Sequence, residues 1–142
     1  MRVRALVVFT FFVSALTACS GPGRREAQTL VDAVDRYRRA EDASKEADGK
    51  AVAAVACTDS RVCDAKQACV AAIEPTTRAL ALKSEVARLL VELEQKRLAP
   101  DAPEAAALPG KLDEAERLLK EGRAGMAQCD ARLTDLRVAF GV

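Results

Sequence analysis

Residues 110–142 read GKLDEAERLLKEGRAGMAQCDARLTDLRVAFGV. Within them Leu112, Ala115, Leu119, Gly122, Met126, Cys129, Leu133, Leu136 and Phe140 recur at alternating steps of three and four. That spacing places all nine on one stripe of an α-helix and sustains a heptad seam over four repeats, so it predicts a long helix over 110–140 that buries this stripe against another helix.

Moving outward, Ala99-Pro100-Asp101-Ala102-Pro103 through Pro109-Gly110 reads as a Pro- and Ala-rich connector with room for one helical turn at 104–108. Before it, the N-cap residues Thr58-Asp59-Ser60 announce a helix over 60–98, in which Pro75 is expected to kink or divide the run. Earlier still, Ala27, Leu30, Val34 and Tyr37, continued by Ala47, Ala51 and Ala54, predict a helix over 24–57 with a break or kink at Asp48-Gly49. Acid-to-base pairs four residues apart, among them Asp32/Arg36, Glu46/Lys50, Glu92/Lys96 and Asp113/Arg117, support helix at about 0.2 to 0.5 kcal/mol each. No window shows sustained period-two alternation rich in β-branched residues, so no sheet is expected. The expectation is an all-α fold, an antiparallel three-helix bundle or set of long hairpins with coiled-coil-like packing, stapled by disulfides.

The composition narrows function. There is no His and no Trp, and aromatics make up 4% of the 142 residues. Without His, acid-base catalysis near neutral pH loses its commonest group, and the serines have no partner base. Neither a Gly-rich phosphate loop nor a cofactor motif is present, so no enzyme activity and no cofactor are expected. Removing Arg2 and Arg4 with an N-terminal leader takes the 22 basic residues to 20, against 21 acidic, a net charge near −1. That balance argues against nucleic acid as a partner.

The leader itself is explicit. Met1-Arg2-Val3-Arg4 is a short basic region, and residues 5–15 form an apolar run too short to span a bilayer. Leu16-Thr17-Ala18-Cys19 follows, and this resembles the lipobox of bacterial lipoproteins, a resemblance confined to residues 1–19. It implies a signal peptide over 1–18, cleavage before Cys19, and lipidation of that thiol with acyl chains such as palmitate. The expected partner is therefore a membrane, reached through lipid on Cys19. Ser20 in place of Asp favours the outer membrane where two membranes exist, facing the periplasm or the surface. Residues 19–23 then make a short tether, and 24–142 a single helical domain.

The cysteine count agrees with that division. Five thiols are odd, but committing Cys19 to lipid leaves Cys57, Cys63, Cys69 and Cys129, which can pair completely in an oxidising compartment. Zinc would favour closely spaced Cys-x2-Cys pairs or His ligands, so no metal is expected. The leading assignment joins Cys57 to Cys63 at the mouth of the first hairpin and Cys69 to Cys129; the crossed alternative joins Cys57 to Cys69 and Cys63 to Cys129.

Two features stand out as possible binding elements. Arg36-Tyr37-Arg38-Arg39 is a basic cluster around an aromatic, suited to anionic headgroups, glycan or a protein, or else a solvated face with Tyr37 in the seam. Gly122 and Gly125 thin the last helix, for close helix approach or for a groove. Together these point to a lipid-anchored, non-enzymatic helical interaction or scaffold protein of the bacterial cell envelope with an envelope protein partner. The alternative is an envelope ligand-binding module or an inhibitor of a secreted enzyme.

Overall fold

The computed structural model describes residues 21–142. The leader, the lipobox and Cys19 lie outside the described residues. Among those described, the chain forms only helices: α1 (Pro22–Arg39), α2 (Asp42–Ala53), α3 (Ser60–Glu94), α4 (Pro103–Ala106) and α5 (Leu108–Phe140).

The first helical stretch is the main departure from expectation. It does not run to residue 57 with a weak point at Gly49; it breaks at Ala40-Glu41, where both residues turn extended, and resumes as α2. Gly49 lies inside α2 because packing demands it there: a Cβ at this position would come within 2.9 Å of Ile73 Cγ2. The break is held by Lys45, whose Nζ donates to the carbonyls of Tyr37 (2.6 Å) and Arg38 (3.2 Å) at the end of α1 while sitting over the Tyr37 ring at 4.5 Å. A lysine thus serves the helix end where no Gly or Pro announces one. The start of α1 also shifts: Pro22 occupies its first turn, where the missing N–H and fixed φ are tolerated, so the tether is shorter than residues 19–23.

Pro75 does not divide α3. The helix runs unbroken through it, with the Thr76 and Thr77 hydroxyls donating to the Ala72 and Ile73 carbonyls at 3.3 and 3.1 Å in the turn that Pro75 deprives of an N–H. At its start, Asp59 caps the helix by accepting from the Arg61 N–H at 2.9 Å. At its end, four residues earlier than the sequence suggests, Lys96 adopts a left-handed φ of 56° and the Arg97 and Leu98 N–H groups fold back onto the Glu92 carbonyl.

Helices α3 and α5 form an antiparallel hairpin and share the largest interface. Helix α1 lies across both, and α2 packs on α1 and α3. The main core gathers Leu30, Val34 and Tyr37 of α1, Val52 of α2, Val62, Cys69 and Ile73 of α3, and Cys129, Leu133 and Leu136 of α5. Each fully buried Leu or Val contributes about 1.5 to 3 kcal/mol by leaving water.

The helices differ in reach, and this shapes the molecule. At about 1.5 Å per residue, the 35 residues of α3 span about 52 Å and the 18 of α1 about 27 Å. The beginnings of α1 and α3 meet the end of α5 at one end of the fold, where Arg24 donates to the Gly141 carbonyl at 3.1 Å and Arg61 lies over the Phe140 ring at 4.3 Å. Beyond the end of α1, toward residues 94–108, the start of α2 still meets α3, with Asp42 3.9 Å from Lys83, but neither α1 nor α2 covers α5. There the core thins to two small clusters, Ala79 with Ala115 and Leu118, and Val86 with Leu89 and Leu108.

Candidate interaction surface

Two cysteine pairs stand at disulfide distance. Cys57 and Cys63 are 5.3 Å apart at Cα, joining the loop before α3 to its first turn; Cys69 and Cys129 are 4.5 Å apart, joining α3 to α5. The second pair is brought level by the true helix ends, for Cys69 lies 25 residues before Glu94 and Cys129 lies 21 residues after Leu108. Both of its cysteines are fully buried.

The Arg36-to-Arg39 run does not form one basic patch. Tyr37 is buried in the core, Arg36 pairs with Asp48 at 3.4 Å, Arg38 pairs with Asp130 and Asp35, and Arg39 is exposed. Helical periodicity disperses four consecutive residues around the axis, and the aromatic takes the core direction. The buried Tyr37 hydroxyl meets no hydrogen-bond geometry among the described residues, although the Thr76 and Thr77 side chains lie beside it; burial pushes its pKa above the usual phenol value, and these two neighbours offset part of that rise.

Gly122 and Gly125 are sites of close approach. A Cβ on Gly122 would collide with Thr76 Oγ1 and lie 3.1 Å from the Ala72 carbonyl oxygen, and one on Gly125 would lie 3.1 Å from Ala72 Cα and Cβ. Removing two side chains lets α5 press against α3 on either side of Ala72.

The distal half of the hairpin is different on its two flanks. On one flank, Lys111 meets Glu85 at 3.3 Å and Arg78 meets Glu114 at 3.4 Å, ion pairs that bridge α3 and α5. On the other lies the α5 row Glu116, Arg123, Asp130, Arg137, spaced by seven and so sharing one face. Its lower half is met by α1: Asp130 pairs with Arg38, and Arg137 reaches Asp35 at 3.5 Å. Its upper half continues the pattern above the end of α1, where Glu116 and Arg123 are exposed and join no ion pair among the described residues.

The adjoining apolar row behaves the same way. Leu133 is fully buried, Met126 and Leu119 are half-buried, and Leu112 is 50% exposed as cover by α1 runs out. Leu90, 47% exposed, lies on the distal part of α3. Faultless periodicity makes Leu112 a seam position; what it lacks is a helix opposite, which only tertiary structure can supply.

Two features lay beyond the sequence reading. Glu26 on α1 accepts from the Thr58 N–H and hydroxyl, both at 2.7 Å, clasping the loop that leads into α3; these bonds hold its carboxyl below the usual pKa. No local signal links residues 32 apart. A shallow cleft of about 410 Å³ also runs between α2 and α3, lined by Gly49, Ala53, Val70, Ile73 and Ala81.

Among the described residues no three His, Cys, Asp or Glu side chains cluster to hold a metal ion, and no helix is long and apolar enough to cross a membrane. Comparison with protein-family models, curated proteins and solved structures gives no match.

Proposed function

We propose that this protein is a lipid-anchored, non-enzymatic helical interaction or scaffold protein of the bacterial cell envelope, with the distal half of the α3/α5 hairpin as its contact surface. The observation that carries the reading is the open flank of that hairpin, where the Leu112 row and the Glu116 row extend past the helix that covers them. The lipobox motivates the anchor. Three peptide steps separate Cys19 from Pro22, so the fold begins within about 11 Å of the lipid. The proposed contact surface then stands at the far end of a helix about 52 Å long. In this reading the hairpin and α1 together act as a three-helix, coiled-coil-like bundle in the half nearest the membrane, the outer one by the Ser20 rule.

The test is in-cell acyl labelling of the wild type and of Cys19→Ala, combined with a photocrosslinking amino acid at Leu112. The expected result is labelling that vanishes in the variant and crosslinks to a defined protein at Leu112. Persisting acylation would overturn the anchor, and absence of any protein crosslink at Leu112 would overturn the contact surface.

The cleft between α2 and α3 favours a second reading, an envelope ligand-binding module, because it sets the apolar side chains of Ala53, Val70, Ile73 and Ala81 beside the charged Glu46, Lys50, Glu74 and Arg78, a lining suited to an amphipathic ligand. A ligand retained through purification and seen by native mass spectrometry would support it. An inhibitor of a secreted enzyme would use the exposed hairpin instead.

A further inference from the structure

We propose that the open flank of the distal hairpin is closed by a second copy of this chain, packed antiparallel so that the α5 row Leu112, Leu119, Met126 lies against itself with Leu119 at the two-fold axis. The inference rests on the reading of this flank as a contact surface; reversal about Leu119 sets the two chain starts at opposite ends of the pair, so both proposed anchors reach one membrane when the paired hairpins lie along it.

The row is self-complementary in position. Leu112 and Met126 lie seven residues on either side of Leu119, so reversing one helix against another about Leu119 sets Leu112 of each copy over Met126 of the other. All three have surface left to bury, from half-buried Met126 and Leu119 to half-exposed Leu112. From Leu133 the row is sealed by α1, whose last turn reaches Met126 through Arg38 at 3.9 Å from the sulfur, so the contact takes the open side of Met126 and stops where cover by the end of α1 sets in.

The charges agree in the same register. Glu116 and Arg123 flank Leu119, the acid on the side of the hairpin tip and the base on the side of α1. Antiparallel reversal about Leu119 sets Glu116 of one copy opposite Arg123 of the other, twice over, as a two-fold interface requires. The pairs are of the kind this face already uses, for one heptad further along α5 the same row pairs with the antiparallel helix α1 through Arg38–Asp130 and Asp35–Arg137. A copy of α5 would extend that pattern over the part of the face that α1 leaves bare. The opposite flank offers no such continuation, since its charges are spent on the α3–α5 bridges.

The experiment is sedimentation equilibrium of the processed full chain in density-matched detergent, for the wild type, Leu119→Glu, Glu116→Arg, Arg123→Glu and the double reversal. Glu116 and Arg123 are exposed and unpaired in the described fold, so the charge variants should keep the wild-type circular dichroism and Tm, which serves as the folding control. A concentration-dependent dimer is expected, with Kd raised at least about tenfold by Leu119→Glu and by either single reversal, because each sets like charges opposite or buries a charge. The double reversal should return Kd to about the wild-type value. Side chains seven residues apart on one helix cannot pair with each other, so rescue reports contact between copies. A monomer at every concentration, a dimer indifferent to Leu119→Glu, or failure of the double reversal to rescue would each overturn the proposal. A monomer that still crosslinks a different protein at Leu112 would overturn the second copy while leaving the contact-surface reading intact.

Discussion

Cys69 and Cys129, 60 residues apart in the chain, lie 4.5 Å apart at Cα and are fully buried where α1 crosses the α3/α5 hairpin. The bridge fastens the two long helices within the covered half and leaves the distal half to its small clusters of Ala, Val and Leu. Cys57 and Cys63, by contrast, close a loop of six residues and are half-buried.

Loop length sets the expected difference between them. Replacing Cys69 and Cys129 together by Ala should lower unfolding free energy by about 4 kcal/mol, and replacing Cys57 and Cys63 by about 2 kcal/mol, on the chain-entropy account. Urea denaturation of each pair of substitutions checks the order. Equal losses would mean that the bridges act by some route other than restricting the unfolded chain.

Glycines in α5 should separate by surroundings. Gly122→Ala and Gly125→Ala each gain about 1 kcal/mol of helix propensity but force a Cβ into Ala72 or Thr76, a strain of about 1 to 3 kcal/mol, so both should be neutral to destabilising. Gly110→Ala meets open space and should be neutral to stabilising. Thermal unfolding of the three variants decides the point.

Tyr37→Phe should leave the protein at least as stable as wild type, because it removes a buried hydroxyl that has no partner; leaving such a group unsatisfied costs about 1 to 3 kcal/mol. Tyr37→Ala should lose about 3 to 5 kcal/mol to the cavity. Tyr37 is the chain's sole tyrosine, so tyrosinate absorbance follows this position alone. Its folded pKa is raised by burial, so the associated stability is present below the unfolded value of about 10 and is lost as pH rises beyond it. A phenol titrating at its ordinary pKa in the folded protein would show the core to be open there.

Glu26 should govern part of the acid limb. Its folded pKa is lowered by the Thr58 hydrogen bonds, so the stability it confers is present above its unfolded value near 4.5 and disappears as pH falls through the folded one. The Tm of Glu26→Gln should therefore fall less steeply than that of wild type below pH 4.5. Parallel Tm curves for the two proteins would remove Glu26 from the account.

Legibility in the sequence followed the range of the interactions involved. The α5 stripe, the Asp59 cap and the absence of strands among the described residues were readable because periodicity and capping act within a turn or two. Gly49 and Pro75 misled for the same reason: each is a local helix breaker on average, and each is overruled by a particular contact, Ile73 packed against Gly49 and the Thr76 and Thr77 back-bonds beside Pro75. The true break at Ala40-Glu41 left no local mark, since what ends α1 is Lys45 folding back from the next helix.

By itself, then, the sequence determined a helical, cysteine-bearing chain, because helix periodicity and thiol number are written in consecutive residues, as is the Leu16-to-Cys19 motif on which the proposed anchor rests. Only the tertiary structure decided where α1 stops along the hairpin. Exposure of Leu112 and burial of Leu133, two positions of one faultless row, depend on whether a second helix lies above them, and that is fixed by packing at a distance and by no residue of the row itself.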